Sequence, residues 1–338
     1  MDTMVTNPSF NAMLVSASLL LPIFLPVAAV AQTEGVVSTQ TLVRADAKHE
    51  HVIPNATAIT LQLNGKSAQL TSLTQLPPSG AQVALLIDDG LSRSAGVQLN
   101  DLKNFANDLP PGTEVFIGYM RNGGIDAVVP FTTDHESAAA KVRLPIGAPG
   151  ISASPYFCLS DFVKHWPGEG SAFADRGPVD LDGGAAGPKK ARFVILLTNG
   201  VDPYNGSTSV LNQDSPYVEA AATDAQRAGV QVSAIYYSDA GFRGGRGSFS
   251  GQSYLQQVAD ATGGVLYNEG PINPVSLQPY FQEFAHDISE TYVATFNADA
   301  GAGGHDHLLR LKMSSTVPKL KLRYPAEVRP GNQESGAQ

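Results

Sequence analysis

The chain has 338 residues, 43% of them hydrophobic, with 22 Lys and Arg against 31 Asp and Glu and a formal net charge of −9. That acidic balance excludes the basic stripe that a nucleic-acid or anionic-membrane partner requires. Cys158 is the single cysteine, which excludes an intrachain disulfide and leaves stability to a core large enough for one sizeable domain and a small one.

In chain order, the first element is an apolar run, Met13 to Ala31, broken by Pro22 and Pro26 and closing on Ala29-Val30-Ala31. A short apolar run ending on small residues predicts a secretory signal over 1–31, cleaved after Ala31, with no membrane partner left once it is removed; the alternative is a segment retained as an N-terminal membrane anchor. The expected location is the periplasm or the exterior. Val37 to Asp46 then has strand composition, and Ile59 to Leu63 and Ser67 to Leu73 flank Asn64-Gly65. Asn-Gly between two such runs predicts a hairpin, because both turn positions need positive φ. These strands define an N-terminal β segment over 32–80.

From Gln82 strands alternate with helical periods. Gln82 to Ile87 is an unbroken apolar strand, and Leu102, Phe105, Ala106 and Leu109 recur at helical spacing until Pro110-Pro111. Glu114 to Met120 and Ile125 to Phe131 are predicted strands around Asn122-Gly123. Phe157 to Trp166 reads as a short helix, Arg192 to Thr198 (RFVILLT) as a strand apolar on both faces. Ser215-Pro216 marks a helix start and Gly229 its stop. Val230 to Tyr237 is a strand, and Tyr254 to Ala261 and Leu277 to Ser289 are helices. This alternation over 81–290 predicts an α/β fold with a mainly parallel sheet covered by helices and one antiparallel edge. Ligands of such sheets lie beyond the carboxyl ends of the strands. The glycine-rich stretches Pro167 to Lys190 and Ala240 to Gln252 read as loops. Beyond Glu290, Tyr292 to Phe296, His307 to Met313 and Lys319 to Tyr324 are strands of a C-terminal β segment and tail (291–338). These are too few to make a core alone, so they are expected to pair with the N-terminal strands.

The strand VALLID runs directly into Asp88-Asp89-Gly90-Leu91-Ser92. This arrangement resembles the von Willebrand factor A domain, which has D-x-S-x-S after its first strand. RFVILLTNG, Arg192 to Gly200, lies where that family has an apolar strand ending in T-D-G, and LQQVADATGGVL, Leu255 to Leu266, looks like its late helix, turn and strand. The flanks, with LNGKSAQL and the tail from Thr291 (TYVATFN to YPAEVRP), are similar to the acidobacterial von Willebrand factor A-related exported proteins. The resemblance implies a von Willebrand factor A-like, Rossmann-like fold with a small β unit made by the two ends of the chain.

It also implies a metal-ion-dependent adhesion site, in which loop oxygens hold a divalent cation that a partner's carboxylate completes. Asp88 and Ser92 match the family's pattern. Gly90 stands in place of the first serine and Asn199 in place of the second aspartate, while Ser154, or in second place Ser152, substitutes for the threonine. The expected metal set is therefore Asp88, Ser92, Ser154 and Asn199, degenerate for Mg²⁺ or Ca²⁺, whose binding is weak or lost. The expected partner-binding set is Asp88, Asp89, Ser92, Ser154, Asn199 and Asp202. The partner expected is another protein of the cell envelope, with no other cofactor and no enzymatic activity.

A competing reading uses His49-Glu50-His51 and His305-Asp306-His307. On a strand, His-x-His puts both rings on one face, and four histidines could serve a zinc or copper enzyme or a metal-binding protein. A structural envelope component is a third reading. GFRGGRGSFSG, Gly241 to Gly251, lacks the phosphate-loop lysine and spacing, and its Arg243 and Arg246 read as solvated loop charges. Cys158 reads as a small buried apolar residue.

Overall fold

The computed structural model describes residues 35–46, 54–91, 93–147, 154–168, 189–202, 215–238, 246–270, 273–299 and 307–332. The expected signal segment lies outside them, as do Ser92, Ser152, His49, His51, His305 and Arg243.

The N-terminal strands are β1 (Val36–Asp46), β2 (Ile59–Leu63), β3 (Lys66–Ala68) and β4 (Leu70–Gln75). The central part contains β5 (Ala81–Asp88), α1 (Leu99–Asp108), β6 (Glu114–Arg121), β7 (Gly124–Thr132), α2 (His135–Ala140) and α3 (Pro155–Lys164). It continues with β8 (Ala191–Thr198), α4 (Pro216–Ala228), β9 (Val230–Tyr236), α5 (Arg246–Thr262), β10 (Leu266–Tyr267) and α6 (Gln278–Ser289). The C-terminal strands are β11 (Thr291–Asp299), β12 (Leu309–Ser315), β13 (Lys321–Arg323) and β14 (Glu327–Val328).

The central sheet has the order β10-β9-β8-β5-β6-β7. All of its neighbouring pairs are parallel except β6 with β7, which closes on the Asn122-Gly123 turn at φ 53° and 81°. Covered on both faces, β8 and β9 are buried at every residue. Strand period then sorts the core into two layers. Val83, Leu85 and Ile87 of β5 pack with Leu102 and Phe105 of α1 and with Phe281 and Phe284 of α6. Ala84 and Leu86 pack with Phe162 of α3, Val218 of α4 and Leu255 and Val258 of α5. The Phe105 and Phe281 rings lie 4.6 Å apart, and each fully buried aromatic of this size contributes about 2–3 kcal/mol.

Chain order reverses between β5 and β8. After β5 the chain builds β6 and β7 on one side, then crosses to β8 on the other. The crevice at the carboxyl ends of these two strands is the switch point of a doubly wound sheet, where ligands of such folds bind. The fold class expected from the sequence is present: a von Willebrand factor A-like, mainly parallel sheet flanked by helices, with one antiparallel edge strand.

The two ends of the chain also combine as expected. They form a sheet β13-β1-β11-β4 and a second sheet β14-β12-β2-β3, which share a core of Val43, Leu61, Leu63, Ala294, Phe296, Leu311 and Met313. Arg44 of β1 pairs with Asp287 of α6, whose Oδ2 also accepts from the Tyr267 hydroxyl at 2.9 Å, so the β layers are tied to the α/β sheet. Residues Glu34–Gln338 form one compact unit.

Three local expectations need correction. The strand predicted over Ser67 to Leu73 is two strands, because β3 stays with β2 across the Asn64-Gly65 turn while β4 leaves to pair with β11 in the other sheet. The helix predicted from Tyr254 begins at Arg246, within the stretch expected to be a loop. Its Gly251 is a packing residue, since a Cβ there would lie 2.2 Å from the Asn199 carbonyl oxygen. The short helix α2 was not predicted; Asp134 caps it, its Oδ1 accepting from the Ser137 N–H at 3.0 Å.

Candidate functional site at the sheet switch point

Asp88 ends β5 beside the end of β8 and is 3% exposed. Its Oδ1 accepts from the Gly90 N–H at 2.9 Å, an Asx-type turn that lets the chain leave the strand. Its Oδ2 accepts from the Thr198 hydroxyl at 2.8 Å, and Thr198 Oγ1 accepts in turn from the Gly200 N–H at 3.2 Å. One carboxylate therefore fastens both loops at the switch point. Thr198 was read only as a strand end; the signal was its place as the last residue of the strand next to β5.

The next loop atoms are held in the same way. Asn199 is half-buried, and its Oδ1 accepts from the Val201 N–H at 2.9 Å. The Tyr156 hydroxyl donates to the Gly200 carbonyl at 2.8 Å, and burial, with Asp202 nearby, raises its pKa well above the usual phenol value, so it remains a neutral donor. Ser154 is fully buried as the N-cap of α3, its Oγ accepting from the Tyr156 N–H at 3.3 Å. Ser215 precedes α4 but makes no capping bond; its hydroxyl donates to Asp202 Oδ2 at 3.0 Å. Gly200, at φ +65°, has no room for a Cβ, which would lie 2.5 Å from the Gly251 carbonyl oxygen. The start of α5 is thereby locked against the β8 loop.

Asp89 turns the other way and is fully buried. Its Oδ1 accepts from Arg143 Nη1 at 2.7 Å and from the Ile146 N–H at 3.1 Å, and its carbonyl accepts from the Gly147 N–H at 2.9 Å. Arg143 lies 3.7 Å over the Tyr119 ring and 3.3 Å from Asp126. Burial opposes its charge most strongly, but the bond to Asp89, the Asp89 charge and the nearby Tyr119 and Asp126 together outweigh this and hold the guanidinium pKa above its ordinary value. The strap from Arg143 to Gly147 is thus pinned to the end of β5, an arrangement that nothing in the local sequence announces.

The topology brings Asp88, Ser154 and Asn199 to one crevice, with Asp202 on the β8 loop. Asp88, Asp89, Ser154 and Asp202 are buried, Asp89 on the side away from the crevice against Arg143. As a divalent-cation set the described donors do not fit. Asp88 is the sole carboxylate among Asp88, Ser154 and Asn199, and each of the three side-chain oxygen groups already accepts a hydrogen bond from its own chain. Hard cations held tightly need more anionic oxygen than that. Among the described residues no three His, Cys, Asp or Glu side chains are grouped to hold a metal. His307 is exposed just before β12, while the other members of the histidine pairs lie outside the described residues.

No family model matches the sequence, and no curated protein matches it. Several solved structures are similar to it. They include a von Willebrand factor type A protein from Catenulispora acidiphila, at 11% identity over 90% of this chain and 76% of that one, with a TM-score of 0.40. The ArnB paralog VWA2 from Sulfolobus acidocaldarius is similar at 12% identity over 86% of this chain and 76% of that one, TM-score 0.36. The SpRpn10 VWA domain is similar at 10% identity over 61% of this chain and 93% of that one, TM-score 0.31. These are likenesses of fold alone. The class of the domain rests on its strand order, its antiparallel edge and its switch point.

Proposed function

We propose that the chain is an exported, non-enzymatic protein-binding protein that engages an envelope partner through the loop face at the carboxyl ends of β5 and β8. In this reading the adhesion-type metal site has become an internal brace. One observation carries it: the carboxylate at the switch point is bound to the Gly90 amide and the Thr198 hydroxyl of its own chain. A loop face fixed from within offers a preformed surface, and a preformed surface binds at a lower ordering cost. Asn199 and Val201, both half-buried, mark the opening of the crevice.

The test is site-directed photo-cross-linking in cells. A cross-linking side chain at 199 or 201 is expected to capture a distinct protein, and one at the exposed Pro111, at the opposite end of the strands, is expected to capture none. Capture from 111 alone, or from no position, would reject the reading.

A further inference from the structure

The chain has four Asn-Gly pairs, of which 64–65, 122–123 and 199–200 lie in the described residues. The pair carries a chemistry of its own: with no Cβ on the glycine, its backbone nitrogen can reach the asparagine Cγ and close a cyclic imide. The structure holds two of the three pairs back from this. Asn64 Oδ1 accepts from the Arg310 N–H at 2.9 Å, and the Asn64 N–H donates to the Arg310 carbonyl, so the start of β12 clamps that turn. Asn199 Oδ1 accepts from the Val201 N–H and the Gly200 N–H donates to Thr198, while Gly200 is packed against Gly251. Asn122 is exposed, and its side chain makes no hydrogen bond among the described residues. A Cβ on Gly123 would meet nothing within 4 Å, and its backbone bonds to the Cys158 sulfur, a weak partner.

We infer that Asn122 is a site of spontaneous deamidation, through which the chain acquires a carboxylate on the rim of its loop face. The Gly123 nitrogen gives up its proton and bonds to Asn122 Cγ; the Cγ–Nδ2 bond breaks, and ammonia leaves with that proton. One water then opens the imide. Addition at Cγ restores the main chain with an aspartate, and addition at the Asn122 carbonyl carbon leaves an isoaspartate, whose main chain runs through Cγ. Overall, one amide and one water become one carboxylate and one ammonium ion. At φ 53° and 81° both turn residues are left-handed, and the turn has to open before the nitrogen reaches Cγ. Opening is easy here, because β7 is the edge strand of its sheet and pairs with β6 alone, so the end of the hairpin frays at little cost. Met120 lies level with Asp88 in the sheet, which puts the turn beside the switch point. The new charge falls next to Arg121, and the isoaspartate form lengthens the main chain of the turn by a methylene. The inference does not depend on the protein-binding reading.

Peptide mapping by mass spectrometry of the natural protein, held folded in mildly alkaline buffer and sampled over weeks, tests the inference. Peptides containing position 122 are expected to gain the mass that separates an acid from an amide, as two isomers that chromatography separates. They are expected to do so about tenfold or more faster than peptides containing 64 or 199. In urea, where only the dipeptide counts, the three positions are expected to convert at like rates. Asn122→Gln keeps an amide but needs a larger ring, and is expected to abolish the conversion at 122. Conversion first at 64 or 199, or equal rates at all three positions in the folded protein, would overturn the inference. So would an Asn122 that stays an amide in the folded protein while the urea control converts.

Discussion

Replacing Thr198 by Val removes one hydroxyl from a fully buried site and keeps its shape. That hydroxyl donates to the Asp88 carboxylate at 2.8 Å and accepts from the Gly200 N–H at 3.2 Å. A hydrogen bond to a charged group contributes about 1.5–3 kcal/mol, and a buried N–H deprived of its acceptor costs about 1 kcal/mol more. The extra apolar contact of a methyl group returns part of this, so Thr198→Val is expected to cost about 2–3 kcal/mol. Thr198→Ser keeps the hydroxyl and loses only the methyl, at about 1 kcal/mol. Urea unfolding of the three proteins, compared at equal slope, measures both differences. A serine variant less stable than the valine variant would mean that packing, and not the bond to Asp88, holds the two loops, and the brace argument would fall.

Gly251→Ala would place a Cβ 2.2 Å from the Asn199 carbonyl oxygen, backbone against backbone, and is expected to destabilise by about 3 kcal/mol in a thermal melt. Burial pushes the Cys158 thiol up from 9.0 to about 12. The folded chain thus keeps a proton that the unfolded chain gives up: this contribution is complete below pH 9 and is lost as pH rises toward 12. Urea midpoints measured from pH 8 to 11 should accordingly fall less steeply for Cys158→Ala than for the natural protein, and equal slopes would contradict the burial of the thiol. Gly90→Ser with Asn199→Asp returns a hydroxyl and a charge to the crevice. The Asx turn onto Val201 can persist with either side chain at 199, so the double variant is expected to give saturable Mg²⁺ binding in calorimetric titration where the natural chain gives none.

Local rules carried the fold far. Asn64-Gly65 and Asn122-Gly123 both lie at positive φ, as tight hairpins demand, and β5 and β8 read as apolar on both faces because helices cover both. Asp88 was legible as the acid at a strand end. Its true partner, Thr198, was not, because the contact spans 110 residues and depends on which strands become neighbours. The Asp89 to Arg143 pair, 54 residues apart, is hidden for the same reason. Gly251 looked like a loop glycine because its requirement comes from another segment's carbonyl and not from its own turn.

In the proposed reading the strand-end carboxylate Asp88 braces the loop face and does not hold a cation. The most direct measurement is calorimetric titration of the natural protein with Mg²⁺ and with Ca²⁺, paired with melts in each ion and in chelator. The claim predicts no saturable heat and the same melting temperature throughout, since both Asp88 oxygens are already bonded within the chain. Stoichiometric binding in the micromolar range, with a melting temperature that rises in the ion and falls in chelator, would contradict it.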